Sequence, residues 1–353
     1  MRQLFFLCII VLFSCTRQER VTFESPIFLH QEDLYIEILN DDFIFGGMSF
    51  IDVHGPWLII CDFAMDPMIH VFNKFDGTHI ASGGRRGQGP GEFITPFSFS
   101  IDRYAGQLYV FDHGKNAVIR VNIDSLVLQN RMVFEEIRFE SVAWPVNEVY
   151  HLRDSLFIVI EGFADIFLRT PNNVISQAAP LIAPHPFNSV SWSLISMGFL
   201  AQKVTNPRGD RFVSATNVGG IMSIFSIEGE DLFLSTTKYF YRPVLESRYS
   251  LCFESSYFGF LDIYLTNNFI YTALFGERNP QTRPHNISVF DFEGNPIIRY
   301  NTNLPIVRLA VDEVDGFIFV ETVKNGEPAI GRARLPNSIA KELIMETIDN
   351  TQQ

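Results

Sequence analysis

The stretch Trp57-Leu58-Ile59-Ile60-Cys61-Asp62 has a counterpart fifty residues later in Gln107-Leu108-Tyr109-Val110-Phe111-Asp112. At the same offset, further matches join Ile51-Asp52 to Ile101-Asp102, Asp66 to Asn116, Ile69 to Ile119 and Val71 to Val121. Each quoted stretch is a short apolar run that ends in an acid, which is typical of a buried β-strand followed by a turn. The offset therefore predicts a repeated unit of about 50 residues that is built from strands.

The unit recurs with less fidelity in the rest of the chain. The matches are Val311-Asp312, Gly316 and Ile318-Phe319-Val320 at an offset of 210 from the second copy, and residues 223–229 with residues 288–294 at an offset of 65. Residues 71–77 have the same pattern, which ends in an acid and a glycine. Further apolar strands are predicted at residues 156–160, 212–215 and 269–273. Each unit thus indicates four strands, with an acid-Gly turn before the fourth.

A four-stranded sheet of this kind cannot bury both of its faces alone, so the copies must stack. About six units fit between Gly46 and Pro336, and six such sheets arranged radially form an all-β, six-bladed β-propeller. A β-sandwich would not need the repeat. An open ring exposes unpaired strand edges, and the strand-like segment Leu34–Leu39 is expected to complete the last blade. Residues 338–348 indicate either a short helix or a terminal strand.

The N-terminal residues have the features of a targeting segment. A short positive start, Met1-Arg2-Gln3, precedes ten apolar residues, which are enough for a signal-peptide core and too few to span a bilayer. The following Leu12-Phe13-Ser14-Cys15 resembles a bacterial lipobox, in which Cys15 is acylated and becomes the new N-terminus. The alternative is an ordinary cleaved signal peptide. We expect a signal peptide at 1–14, a lipid anchor and tether at 15–30, and the propeller at 31–353.

The segment Gly84-Arg85-Arg86-Gly87-Gln88-Gly89-Pro90-Gly91-Glu92-Phe93 closes the first unit. Behind a lipobox, it resembles the TolB-like, NHL-related six-bladed propeller lipoproteins of Bacteroidetes, over roughly residues 40 to 336. The resemblance implies a propeller on a lipid anchor and transfers no catalytic residue. A phosphate-binding loop is disfavoured because Pro90 follows Gly89 and Glu92 stands where a dinucleotide fingerprint needs glycine. Glycines and a proline here favour a crossover between blades.

The resemblance also bears on location. It implies a protein held by lipid in the bacterial cell envelope, at the outer membrane. Residues 16–20 lack the acidic run usual in the export signals of that family, which favours the periplasmic face over the cell surface. With a formal net charge of −13, the chain would not bind anionic lipid by itself, so the membrane is a partner only through lipidated Cys15.

Two places are candidates for contact with a ligand or partner. Arg85 and Arg86 are adjacent cations on an acidic protein and could meet a carboxylate or a phosphate. Residues 170–202 contain no Asp, Glu, Lys or Arg but include four prolines and Trp192. This segment is either a long connection between blades three and four or an uncharged aromatic surface for a protein or a sugar ring, with Trp192 exposed on it.

The remaining reactive residues have structural interpretations. Cys8 leaves with the signal, and Cys61 and Cys252 either pair or are buried as small apolar residues, the latter being favoured. We expect a lone histidine such as His70 to be a satisfied polar group, and Asp62 and Asp112 to accept hydrogen bonds from turn amides. No metal site, cofactor or catalytic residue is predicted.

The leading function is therefore a non-catalytic binding or scaffolding module with an unidentified protein or carbohydrate partner. Nucleic acid is excluded as a partner because no basic cluster is longer than Arg85-Arg86. The alternative is a hydrolase that resembles the calcium-dependent propeller lactonases. Its only support is Glu24-Ser25-Pro26, which partly matches the Glu-Gly-Pro motif of those enzymes. The resemblance would make Glu24 a ligand of a metal ion on the propeller axis. No Gly-x-Ser-x-Gly elbow occurs.

Overall fold

A computed structural model describes residues 21–140, 145–162, 165–178, 201–247 and 250–336. These residues form 27 strands and one short helix. The signal segment, Cys15, Trp192 and residues 338–348 lie outside the described residues. No helix in the described part of the chain is both long and apolar enough to cross a membrane.

Two strands precede the first blade, β1 (His30–Leu34) and β2 (Glu37–Asn40). Blade 1 contains β3 (Met48–His54), β4 (Trp57–Asp62), β5 (Ile69–Asn73) and β6 (His79–Gly83). Blade 2 contains β7 (Pro96–Asp102), β8 (Gln107–Asp112), β9 (Ala117–Asn122), helix α1 (Ile123–Gln129) and β10 (Val133–Ile137). Blade 3 contains β11 (Val146–Arg153), β12 (Leu156–Glu161), β13 (Asp165–Arg169) and β14 (Val174–Gln177).

The second half of the ring repeats this plan. Blade 4 contains β15 (Ala201–Thr205), β16 (Arg211–Thr216), β17 (Ile221–Glu228) and β18 (Asp231–Tyr239), and a small hairpin follows, β19 (Leu245–Ser247) and β20 (Ser250–Leu251). Blade 5 contains β21 (Tyr257–Leu265), β22 (Ile270–Arg278), β23 (Asn286–Phe290) and β24 (Pro296–Thr302). Blade 6 contains β25 (Arg308–Asp312), β26 (Phe317–Lys324) and β27 (Glu327–Arg334).

The predicted fold is confirmed: the protein is a six-bladed β-propeller with four-stranded blades. The first strand of each blade is the inner one, and the outer strand of a blade leads to the inner strand of the next. All inter-blade connections therefore lie at one end of the ring, which we call the connection face. The opposite end, the hairpin face, carries the turns that join the first and second strands of each blade.

The N-terminal strands close the ring. Strand β2 pairs antiparallel with β27, Glu37 opposite Arg332, and becomes the outer strand of blade 6. Of the segment Leu34–Leu39 that was predicted to complete the last blade, residues 37–39 take this role, whereas Leu34 belongs to β1. Strand β1 pairs parallel with β24, His30 opposite Ile298, and adds a fifth strand to blade 5, which the sequence analysis did not predict. The start of the chain thus supplies the outermost strand of two neighbouring blades and pairs the edges of β24 and β27.

The predicted repeat of four-stranded units is present, but most residues that pair at equivalent positions in blades 1 and 2 are not 50 residues apart. Ile51 pairs with Ile60, whereas Phe99 pairs with Val110, so Phe99 and not Ile101 is the counterpart of Ile51. The turn after β7 is two residues longer than the turn after β3, which displaces the inner strands by two residues. The third strands are displaced by one residue, because Ile60 pairs with His70 and Val110 with Ile119. The offset of 50 therefore holds for β4 and β8 alone among these strands.

The structure agrees with the match at an offset of 210 residues and with the acid-Gly pattern. The inner strands β7 and β25 keep the same register, since Ile101 pairs with Leu108 and Val311 with Ile318. The acid-Gly pattern marks the end of the third strand in three blades, and Gly77 and Gly229 have φ angles of 74° and 61° there. Such left-handed backbone favours glycine because it lacks a Cβ atom.

The core consists of the layers between blades, as the stacking argument requires. Ile59 and Val71 of blade 1 pack against Leu108 and Val110 of blade 2, and comparable clusters fill the other interfaces. Cys61 is fully buried in the first of these layers, and both Cys61 and Cys252 are free thiols. Burial of Cys61 as a small apolar residue is thus confirmed.

Candidate functional site

The six inner strands surround a central cavity of about 360 Å³. Each blade contributes side chains to its wall, among them Phe50, Phe99, Glu148, Lys203, Asp262 and Arg308, in blade order. Polar and charged groups are unusual in a wall that strands build, and their burial is costly unless each is paired. The cavity wall thus brings four charged side chains together, those of Glu148, Lys203, Asp262 and Arg308.

One side of the cavity is aromatic. Phe50 of blade 1 and Phe97 and Phe99 of blade 2 line it, and the rings of Phe50 and Phe99 stack with their centroids 5.6 Å apart. Phe97 stands at the start of β7 and is 53% exposed. Because every inner strand starts at the connection face, the cavity reaches the surface at that face.

The other side is charged. Lys203 Nζ of blade 4 lies 2.6 Å from Glu148 Oε1 of blade 3, and the Tyr150 hydroxyl donates to Glu148 Oε2 at 2.5 Å. Arg308 Nη1 of blade 6 lies 3.6 Å from Asp262 Oδ1 of blade 5. One ion pair therefore links blade 3 to blade 4, and the other links blade 5 to blade 6.

The Arg308–Asp262 pair is the looser of the two. Its separation exceeds hydrogen-bond distance, and the buried Arg308 Nε has no hydrogen-bond partner among the described residues. Burial raises the pKa of the Asp262 carboxyl to about 6, against the opposing influence of Arg308 and of the Leu309 amide, which donates to Asp262 Oδ2 at 2.8 Å. The net charge of this wall therefore becomes more positive as the pH falls through about 6.

Arg103 closes the cavity towards the hairpin face. From the turn after β7 in blade 2, it forms a two-point contact with Asp52 of blade 1, Nε to Oδ1 at 2.8 Å and Nη2 to Oδ2 at 3.1 Å. Its Nη1 donates to the carbonyl of Leu265 in blade 5, across the ring, at 3.1 Å. The Tyr264 hydroxyl also donates to Asp52 Oδ1, at 2.8 Å. These contacts tie three blades together at the floor of the cavity, where Asp52 and Tyr264 also line it.

Two acids accept hydrogen bonds from the turns that follow them, as predicted, and also from the connections between blades, which was not predicted. Asp62 accepts hydrogen bonds from the amides of Gly46, Gly47 and Ala64. Asp112 at the equivalent position accepts from Ile94, Thr95 and Lys115. Both carboxylates are fully buried at the end of a second strand and fix the chain where it enters the inner strand.

His70 is buried in blade 1, and its Nδ1 contacts Ser82 Oγ at 2.8 Å. Burial, with a smaller contribution from nearby His79, lowers the pKa of His70 to about 4, so the ring is neutral at pH 7. Its Nε2 has no partner among the described residues. His70 was predicted to be a polar group whose hydrogen bonds are made, and this is confirmed for Nδ1 and not for Nε2.

The arginine pair lies on the crossover predicted between blades 1 and 2. Arg85 and Arg86 are exposed, and the Arg86 amide donates to Asp66 at 3.2 Å. The loop is held by its own contacts, since the Gly89 amide donates to Glu92 Oε2 at 2.8 Å. Arg85 and Arg86 share the connection face with the cavity mouth, but neither lines the cavity.

Glu24 lies on the outer rim and far from the axis. Its amide donates to the carbonyl of Tyr239, in the outer strand of blade 4, at 2.9 Å. The expectation that Glu24 would reach an axial metal is therefore wrong, because residues 21–34 run along the outside of the ring. In the described ranges, no group of three or more His, Cys, Asp or Glu is placed to hold a metal ion.

The cavity residues were missed by the sequence analysis. They come from six strands spread over more than 250 residues, with two to four from each, and no local motif joins them. A weak signal existed, because Asp262 interrupts an otherwise apolar run at residues 257–265. A charge inside a buried strand indicates a paired group or a lined cavity.

Comparisons with known proteins support the architecture. A family model described as a six-bladed β-propeller matches residues 35–150. No curated protein matches this sequence. Among solved structures, the chain is similar to a candidate exported protein of Bacteroides fragilis NCTC 9343, with a TM-score of 0.53, 14% identity, and coverage of 87% of this chain and 99% of that one. At this identity the similarity shows the fold alone.

Two further solved structures are more distant. The β-propeller domain of Cps50 (Swd1) from Myceliophthora thermophila has 11% identity and a TM-score of 0.46, covering 84% of this chain and 99% of that one. U3-55K has 11% identity and a TM-score of 0.45, covering 81% and 80%. Both scores are too low to interpret further.

Proposed function

We propose that this protein is a lipid-anchored, non-catalytic binding propeller of the bacterial cell envelope, and that its ligand enters the central cavity from the connection face. The observation that carries the proposal is the cavity itself, which has an aromatic side, a charged side and a floor. Function on a propeller commonly resides in loops and side chains held by a rigid frame. The long connection at 84–95 joins β6 to β7 at this same face.

The arrangement of the acids favours binding over catalysis. Asp52, Glu148 and Asp262 each already accept hydrogen bonds from fixed donors. A general acid or base must instead exchange its proton with the substrate. Paired side chains of this kind orient a polar ligand without taking part in a reaction.

The walls indicate the chemistry of the ligand. A cavity of about 360 Å³ holds one side chain or one sugar ring of a larger molecule. The rings of Phe50, Phe97 and Phe99 offer an apolar surface, and the exposed part of the Arg308 guanidinium offers N–H donors to a carboxylate, carbonyl or hydroxyl oxygen. A protein or carbohydrate that presents both an apolar face and an oxygen acceptor fits this site.

The envelope location follows from the N-terminal pattern. Cys15 stands directly after an apolar core of signal-peptide length. A structural neighbour described as a candidate exported protein is in keeping with export. Acyl chains supply about 0.8 kcal/mol for each buried methylene, and two or more chains hold a protein stably on a membrane.

The anchor is tested by Cys15→Ser in the full-length protein. Without the thiol no acyl chain can be attached, so the variant is expected to lose incorporation of labelled fatty acid and to move from the membrane pellet to the soluble fraction. Cys252→Ser, which removes a partly exposed free thiol, is the matched control and should keep both. Equal labelling of the Cys15→Ser variant and the wild type would show that Cys15 is not the anchor.

The binding site is tested by filling the cavity. Gln202 lines it, so Gln202→Trp should block entry, while Gln129→Trp places the same bulk on helix α1, away from the cavity. Each purified variant is used to capture components of the envelope fraction, after circular dichroism has confirmed the fold. We expect a component that the wild type and Gln129→Trp retain and Gln202→Trp loses. The same set of components captured by all three proteins would contradict the site. Trp192→Ala and Arg85→Ala/Arg86→Ala report in parallel whether these residues contribute contacts.

A further inference from the structure

Residues 21–34 form a strap along the outside of the ring. The Glu24 amide donates to the Tyr239 carbonyl of blade 4, and the Phe23 ring packs edge-on against Tyr239 with centroids 5.6 Å apart. Phe28 is buried against Phe290 of blade 5, with centroids 5.3 Å apart. The chain then continues as strand β1 on the edge of blade 5. The strap is therefore fixed to the rim of blades 4 and 5 and is part of the packed structure.

The outward side of the strap is apolar beside Phe28. Ile27 is 73% exposed and Leu29 is 86% exposed, on either side of the buried ring. Successive side chains of an extended segment point to opposite sides, so Ile27 and Leu29 share the side that faces away from the blade. Single exposed apolar residues are common on protein surfaces and carry no argument alone. Their distance along the chain from Cys15 is what gives them meaning.

Only five residues separate Cys15 from Val21. A fully extended chain spans at most about 3.6 Å per residue, so Val21 lies within roughly 22 Å of an acylated Cys15. A domain of this length has a radius of gyration of about 20 Å and is therefore about 50 Å across. The tether is too short to let the ring turn freely above the lipid. The edge that carries the strap must stay near the membrane.

We propose that the rim of blades 4 and 5 faces the lipid bilayer, with Ile27 and Leu29 at the headgroup region, and that the rim of blade 2 points away from it. The occupant of this surface is the membrane to which the chain itself is anchored, so the inference rests on the proposed acylation of Cys15. The strap also carries exposed Glu24 and Asp33, and the whole chain is acidic, so anionic lipid is not what attracts it. In this orientation the mouth of the cavity opens along the membrane surface and is not covered by it.

The chain offers a matched pair of positions for the test. Leu29 lies on the strap, and Leu128 of helix α1, which is 76% exposed, lies on blade 2, across the ring from blade 5. In a Cys252→Ser background, Leu29→Cys or Leu128→Cys supplies the reactive thiol, since Cys61 is fully buried. The full-length acylated protein is labelled with a fluorophore and reconstituted into phosphatidylcholine vesicles that contain a lipid with a nitroxide at its headgroup.

We expect the label at position 29 to be quenched severalfold more strongly than the label at position 128. Equal quenching, or stronger quenching at 128, in protein that floats with the vesicles would overturn the orientation and leave the anchor intact. The same labelled variants with Cys15→Ser should neither float nor be quenched. If instead the protein with Cys15 does not float, the anchor fails and the orientation fails with it.

Discussion

Deletion of residues 30–42 is expected to abolish the cooperative unfolding transition of the ring or to lower its midpoint by more than about 10 °C. The deletion removes β2, which completes blade 6, and β1, which covers the edge of blade 5. It also removes the buried side chains of Leu34 and Ile36. Loss of a large buried aliphatic side chain costs about 2–5 kcal/mol, and whole domains are stable by only about 5–15 kcal/mol.

Two point substitutions test whether the loss of stability comes from the open ring or merely from the shorter chain. Ile36 is 1% exposed and sits between the two strands, whereas Ile44 is 79% exposed. Ile36→Asp buries an unpaired charge at the closure and should reproduce most of the effect of the deletion, while Ile44→Asp should change the melting temperature little. Circular dichroism melting curves measure both. A deletion variant as stable as the parent would show that the ring does not depend on this closure.

Substitution of Asp112 by alanine is expected to lower the free energy of unfolding by about 3–5 kcal/mol. The carboxylate is fully buried and accepts hydrogen bonds from the amides of Ile94, Thr95 and Lys115, at 2.6, 2.9 and 3.2 Å. Alanine leaves these donors without their acceptor and leaves a small void as well. The entry of the chain into the inner strand of blade 2 loses its fixed point.

The exposed Asp76 provides the control for this substitution. It accepts a hydrogen bond from the Thr78 amide at 2.9 Å, and water can replace it there, so Asp76→Ala should cost much less stability than Asp112→Ala. Asp112→Asn keeps an acceptor oxygen and should fall between the two alanine variants. Urea denaturation measures all three. Equal losses for Asp112→Ala and Asp76→Ala would show that the buried contacts of Asp112 do not hold the connection.

Most of the fold was predictable, because the strands and turns of a propeller blade depend on the pattern of apolar, acidic and glycine residues within short segments. Residues 57–62 and 107–112 are apolar runs that end in acids, and they proved to be the second strands of their blades. The acid-Gly turns at Gly77 and Gly229 marked third strands for the same reason, since backbone conformation at a turn depends on the residues present there. Closure by Leu34–Leu39 followed from the need to cover a strand edge.

The register of the strands and the position of local insertions were harder to predict from the sequence. Ile101 resembles Ile51 in sequence, yet Phe99 occupies its place, because a longer turn in blade 2 shifts the strand by two residues. Helix α1 was not predicted, although Asn122 caps it by accepting from the Ser125 amide. At seven residues it is too short to show a helical period, and it is stabilised because Ile123 and Leu126 pack in the layer between blades 1 and 2.

The sequence by itself determined the number of blades, the strands within them and the segment that closes the ring, because each of these depends on the hydrophobic pattern of neighbouring residues. Only the tertiary structure brought Glu148, Lys203, Asp262 and Arg308 into one cavity wall and placed Arg103 across its floor. It also moved Glu24 to the rim and laid the strap beside blades 4 and 5. These relations join residues that are tens to hundreds of positions apart, and they arise when the ring closes and its six inner strands meet around one axis.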